Sequence, residues 1–242
     1  LLILFLYNNI SYGWNFIINN RPKVNVNIWD NTQFNNTKFI SITPGGIYGF
    51  YNLGISLYIL NNYQLNNYSF IGASAGAWNS LICTYKYNHS EFIYNLFDNV
   101  DMNTNDVHSL QNRLSEYILN TYKTDDFNLD KLHICISELN NILLHPIIIN
   151  KFKNLDEALN CCIVSSHIPY ITSNEFIKYY NNKIVFDGGF FKFPPKEIYS
   201  HFTISPTKYN FEMLGGLLIN MVKTKRNVSE KVLKELFIQG YN

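Results

Sequence analysis

A serine set between two glycines, in Gly72-Ala73-Ser74-Ala75-Gly76, is the residue of this chain best suited to covalent chemistry. The apolar residues before it (Tyr68, Phe70, Ile71) suit a short buried strand, and those after it (Ala77, Trp78, Leu81, Ile82) suit a helix. A G-x-S-x-G between strand and helix forces the serine into a strained turn, so that its hydroxyl projects clear of the sheet. Small residues at 72, 73, 75 and 76 let strand and helix pack closely behind it. Alone, the pattern is weak, because it arises by chance in many chains. Its value comes from what flanks it.

Upstream, residues 39–43 form a β-rich run in which Ser41 and Thr43 alternate with apolar residues, ended by the turn Pro44-Gly45-Gly46. Phe50, Leu53, Leu57 and Leu60 then recur at helical spacing. Strand, glycine turn and helix together expose backbone N–H groups where the helix dipole favours negative charge, a setting for a phosphate or for the oxyanion of acyl transfer. The simpler reading of Gly45 and Gly46 is a tight turn. Downstream, the apolar run 184–186 reads as a buried strand that ends in Asp187-Gly188-Gly189. A carboxylate there is placed for general-base work, although Asp-Gly by itself is among the commonest solvated turns.

The three pieces, in this order, resemble the patatin-like phospholipase family, whose members carry a glycine-rich oxyanion loop, a G-x-S-x-G and a distant D-G-G or D-G-A. The loop and following helix, Gly45 to Gly54, look closest to the adipose triglyceride lipase and adiponutrin branch. Ser165-Ser166-His167-Ile168-Pro169 is similar to the turn that precedes the family's aspartate, and residues 232–241 resemble its closing helix. The resemblance runs from about Phe39 to the end. It implies an α/β fold, a three-layer sandwich with a mostly parallel central sheet flanked by helices, spanning residues 37–242 behind an N-terminal extension, 1–36. It also implies a Ser–Asp dyad without histidine: Ser74 as nucleophile, Asp187 as base, and the N–H groups of Gly45, Gly46 and Ala75 as the oxyanion hole. Gly49, Gly72, Gly76, Gly188 and Gly189 are the remaining motif glycines. The implied substrates are carboxyl esters of phospholipids or acylglycerols, with no metal or organic cofactor. Two departures stand out. Pro44 occupies the place of the loop's first glycine and has no N–H to donate, and Tyr48 stands where many members carry arginine. Pro44 motivates a second reading, a catalytically weak lipid-binding protein.

A third reading takes Ser74, Asp187 and His201 as an α/β-hydrolase triad, since their order matches that fold. Against it, one strand and one helix precede Ser74, where that fold has several, and His201 reads as a strand residue near the surface. The other histidines (His89, His108, His133, His145, His167) show no metal-ligand spacing. His167 lies in the segment that the resemblance places near the site, yet reads as structural.

Four scattered cysteines in apolar surroundings (Cys83, Cys135, Cys161, Cys162) predict buried free thiols and a reducing, cytoplasmic setting. Asparagine makes up about one residue in seven, so the N-x-S/T sequons at Asn9, Asn35, Asn67, Asn88 and Asn227 are expected by chance. A net charge of +1 over 242 residues offers no attraction to nucleic acid, and no aromatic platform with interleaved basic residues appears. The apolar run 1–7 is too short to span a bilayer, and residues 1–36, with Trp14 and Trp29, carry no assigned role. Peripheral contact with a membrane or lipid droplet is expected through residues 211–222, an apolar stretch followed by Lys223, Lys225 and Arg226. Two further strands are read at 131–137 and 143–149, the second at a sheet edge because of Pro146. Leu110, Leu114, Tyr117, Ile118 and Tyr122 read as one buried helical stripe.

Overall fold

A computed structural model describes residues 37–206 and 229–242, apart from 105, 142, 192, 196, 197 and 199. The N-terminal extension 1–36 and the apolar-basic segment 211–226 expected at the membrane lie outside the described residues. Among the described residues no helix is long and apolar enough to cross a membrane.

Alternating and apolar runs become strands as their patterning dictates: β1 (Lys38–Ile42), β2 (Tyr68–Ala73), β3 (Leu132–Asn140), β4 (Leu143–Ile149), β5 (Lys178–Tyr180), β6 (Lys183–Phe186) and β7 (Ser200–Ile204). Between them stand α1 (Gly49–Asn62), α2 (Ala75–Cys83), α3 (His89–Asn99), α4 (Val107–Thr121) and α5 (Leu155–Ser165), and α6 (Glu230–Tyr241) follows β7. Side chains of Asn88, Asp106, Asn154 and Ser229 accept backbone N–H bonds at the starts of α3, α4, α5 and α6, which fixes where those helices begin. Tyr122, expected within the α4 stripe, instead stops the helix with an extended backbone.

The strands join in one sheet in the order β5-β6-β3-β2-β1-β7, with β4 on the remaining edge of β3. β7, β1, β2 and β3 pair in parallel, whereas β4 and β6 run against β3. β4 pairs with β3 alone, and its Pro146 sits opposite Ser137 at that sheet edge.

Period-two alternation sends Ile40, Ile42 and Phe70 to one face of the sheet, where Cys83, Ile55 and Ile59 of the helices meet them. Phe39, Ile71, Ala73, Cys135 and Ile148 go to the other face and pack with Ile198 and Phe193. The largest core lies between the sheet and the helices, where Leu53, Leu81, Phe92, Ile118, Leu159 and Phe237 interlock with Leu132, Ile134 and Ile136. The chain is therefore α/β, with a mostly parallel mixed sheet buried on both faces, as the middle layer of a three-layer sandwich must be. α6 lies tightly on α1. A Cβ at Gly54 would come within 2.1 Å of the Phe237 carbonyl oxygen, and one at Gly240 within 2.0 Å of that of Tyr51.

Candidate active site

Two strands bring the chemistry together on one edge of β3. β4 occupies the other edge from Ile134 to Asn140, so β2 and β6 must share the free one. β2 runs parallel to β3 and ends with Ala73 opposite Cys135. β6 runs antiparallel and ends with Phe186 opposite Ser137. The C-terminal ends of β2 and β6 thus approach each other head-on. The next residues are Ser74 and Asp187.

Ser74 adopts φ 54° and ψ −128°, a conformation that side chains rarely take, at the junction of β2 and α2. Its hydroxyl makes no capping bond to α2 and is left for other use. The flanking glycines are demanded by packing. A Cβ at Gly72 would lie 2.0 Å from the Gly76 carbonyl oxygen, and one at Gly76 2.0 Å from that of Ile42. The Ser74 N–H donates to Ser165 Oγ at 2.9 Å, and the Ser165 hydroxyl donates to the Cys135 carbonyl at 2.6 Å. Ser165 therefore ties the elbow to β3 and to the end of α5.

Asp187 is 3% exposed, so the solvated Asp-Gly turn is not what forms here. Its N–H donates to the His167 carbonyl at 2.8 Å, and its carbonyl accepts from the Ser137 hydroxyl at 2.7 Å. Oδ1 accepts the Gly189 N–H at 2.6 Å. Oδ2 is buried and completes no hydrogen bond of regular geometry. Burial pushes the carboxyl up to about 6, while the nearby Ser74 hydroxyl and the Gly189 N–H favour its charged form.

The glycine loop closes the third side. Gly45 caps a 3-10 turn, Gly46–Tyr48, whose first residue Gly46 has φ +54°, which glycine adopts without strain. A Cβ at Gly49 would strike that of Ala75 at 2.5 Å, and one at Gly189 would lie 2.9 Å from Pro44 Cβ. The loop thus touches both the residue after the serine and the turn after the aspartate. Gly188 is equally confined, its would-be Cβ 2.0 Å from the Cys135 carbonyl oxygen and 3.1 Å from Ala73 Cβ. Among the described residues, the N–H groups of Gly45, Gly46 and Ala75 donate to no protein acceptor. Buried amides hold the loop: Asn52 Nδ2 donates to the Thr43 carbonyl at 3.3 Å and Asn79 Nδ2 to that of Gly49 at 2.8 Å.

No protein-family model matches this chain, and no curated protein matches it.

Ser74, Asp187 and the glycines therefore gather in one place, and His201 does not join them. It is exposed on β7, at a register shift beside the N-terminal half of β1, with its ring 5.8 Å from that of Tyr68. A cleft of about 470 Å³, lined by Thr37, Lys38, Asn66 and Lys131 among others, also opens at those N-terminal strand ends, away from Ser74. His167 is fully buried, stacks on Phe186 at 5.8 Å and meets the Phe176 carbonyl at 3.4 Å through Nε2. Its role is to hold Asp187 through its backbone. Sequence reasoning missed Asn52, Asn79 and Ser137 as positioning residues. The one signal available was a polar side chain at an otherwise apolar position of helix or strand.

Proposed function

We propose that this chain is a lipid acyl hydrolase of the patatin-like type, cleaving carboxyl esters of phospholipids or acylglycerols through Ser74 and Asp187. The observation that carries the reading is the head-on meeting of β2 and β6, which sets a strained serine against a buried carboxylate. In this mechanism the Ser74 oxygen attacks the ester carbonyl carbon and its proton passes to Asp187 Oδ2, the carboxylate oxygen with no regular hydrogen bond. The oxyanion so formed takes hydrogen bonds from the unengaged N–H groups of Gly45, Gly46 and Ala75. Collapse expels the alcohol, which carries away the proton held by Asp187. Water then attacks the acyl-serine, giving its proton to Asp187, and the acid leaves as Ser74 regains its hydrogen. The dyad uses no metal or cofactor.

Pro44 favours a second reading, a catalytically weak lipid binder, because it packs directly on Gly189 in the place of a donor glycine. One experiment decides between them: hydrolysis of a short-chain nitrophenyl ester and a fluorogenic phospholipid by wild type, Ser74→Ala, Asp187→Asn and His201→Ala. Loss of activity in the first two variants and retention in the third supports the dyad. A wild type no faster than Ser74→Ala on either ester sinks the hydrolase reading.

A further inference from the structure

A pair of exposed aromatic rings lies on the loop between α5 and β5, close to the site. Tyr170 is 58% exposed and Phe176 40%, and their rings stack at 6.0 Å with an interplanar angle of 22°. Tyr170 holds φ 59°, a left-handed conformation that is a genuine outlier for a bulky side chain. The loop that carries the pair is firmly built. The Thr172 hydroxyl bonds the Ser166 carbonyl, and the Ile168 N–H donates to Thr172 Oγ1 at 2.7 Å. The Phe176 carbonyl meets His167 Nε2, and the His167 carbonyl accepts the N–H of Asp187. One link through the His167 ring and one through its backbone therefore fix the loop relative to the carboxylate. A strained, exposed aromatic on a loop so firmly bonded is a candidate contact for something outside the molecule.

Charge narrows that occupant. Residues 39–85, which contain the glycine loop and Ser74, include no Asp, Glu, Lys or Arg, nor do residues 158–174. Within 184–191 the sole charged residue is Asp187. Lys178 pairs with Glu175 at 3.9 Å and Lys183 with Glu138 at 2.9 Å, so the lysines of β5 and β6 are already neutralised. The charges flanking the pair, Glu175 and Lys178, compensate each other, and an aromatic surface of no net charge suits a neutral or zwitterionic lipid interface, where tyrosine rings settle at the headgroup level, and gives an anionic surface little to grip.

We infer that Tyr170 and Phe176 dock the protein on an uncharged lipid interface and bring the Ser74–Asp187 site to it. This rests on the hydrolase reading above and differs from docking through residues 211–226. The test is co-sedimentation with phosphatidylcholine vesicles, with and without added phosphatidylserine, at low and high salt. The proteins are wild type, Ser74→Ala and the double variant Tyr170→Ser/Phe176→Ser. Wild type and Ser74→Ala should bind the zwitterionic vesicles equally, with little response to salt. The double variant should bind about tenfold more weakly or worse, yet hydrolyse a water-soluble nitrophenyl ester at the wild-type rate, which shows that it is folded. Vesicle binding by a wild type that hydrolyses nothing would remove the catalytic reading and leave the docking face standing. The inference is overturned if the double variant binds as wild type does, or if wild type binds no vesicles or only phosphatidylserine-containing ones at low salt. Concentration-dependent dimerisation of wild type that the double variant loses, without vesicle binding, overturns it in favour of a second copy.

Discussion

With its carboxyl pushed up to about 6 by burial, Asp187 is largely ionised at neutral pH and more basic than a solvated aspartate. In the proposed mechanism it is the base and must be deprotonated, so kcat/KM on a soluble ester should fall below pH 6 and level off above it. A profile that stays flat down to pH 4 would show that another group takes the proton. The same shift bears on stability. The folded-state pKa lies above the ordinary 3.8, so the folded protein holds the proton more tightly than the unfolded chain. That contribution is fully present below pH 3.8 and is lost as pH rises through about 6, leaving a buried carboxylate that destabilises the fold at neutral pH. Asp187→Asn should therefore raise stability by on the order of 2 kcal/mol at pH 8 and by little at pH 4. An equal change in Tm at both pH values would count against burial as the cause. Ser74 offers a parallel case. Glycine accepts its φ of 54° without strain, so Ser74→Gly should be more stable than Ser74→Ala by about 1–2 kcal/mol. Equal denaturant midpoints would show that the elbow is unstrained.

Elements hold these residues through short polar contacts. Ser165, at the end of α5, accepts from the Ser74 N–H and donates to the Cys135 carbonyl, so its loss leaves two buried backbone groups unpaired. Ser165→Ala should cost about 1–3 kcal/mol and lower kcat far more than it raises KM, since it displaces the proposed nucleophile. Unchanged kcat in a destabilised variant would confine Ser165 to stability. The α1–α6 contact has less room still. A methyl at Gly54 would meet the Phe237 carbonyl oxygen at 2.1 Å, so Gly54→Ala must part the helices. A loss of about 2 kcal/mol or more is expected in urea unfolding, despite alanine's better helix propensity. A stabilised variant would mean that the two helices are not packed this closely.

At the scale of the whole molecule, the sheet is buried on both faces and the thiols lie inside it or against it. Cys83, Cys135, Cys161 and Cys162 are free and buried, and desolvation raises all four, Cys83 to about 12. Since the thiolate is the reactive form, the native protein should resist a thiol reagent at pH 8 and expose all four cysteines together on denaturation. Fast labelling of a native thiol would place it at the surface.

Local patterning was enough to read the strand–serine–helix at 68–83, the glycine turn, the strand edge at Pro146 and the surface position of His201. These depend on side-chain periodicity, on proline's missing donor and on glycine's small size, all of which act over a few residues. Asp187 was different. Asp-Gly reads as a solvated turn until β3 places Phe186 opposite Ser137 and the end of β6 meets the end of β2. Asn52 and Asn79 likewise look ordinary in sequence, because the carbonyls they bind lie 9 and 30 residues away. By itself the sequence determined the strands, the turns and the candidate nucleophile, since those follow from local sterics and periodicity. The order of the motifs singled out Asp187, but only the tertiary structure brings its carboxylate, buried, up to the serine, because a shared strand edge and a low-dielectric position exist only after distant segments have paired.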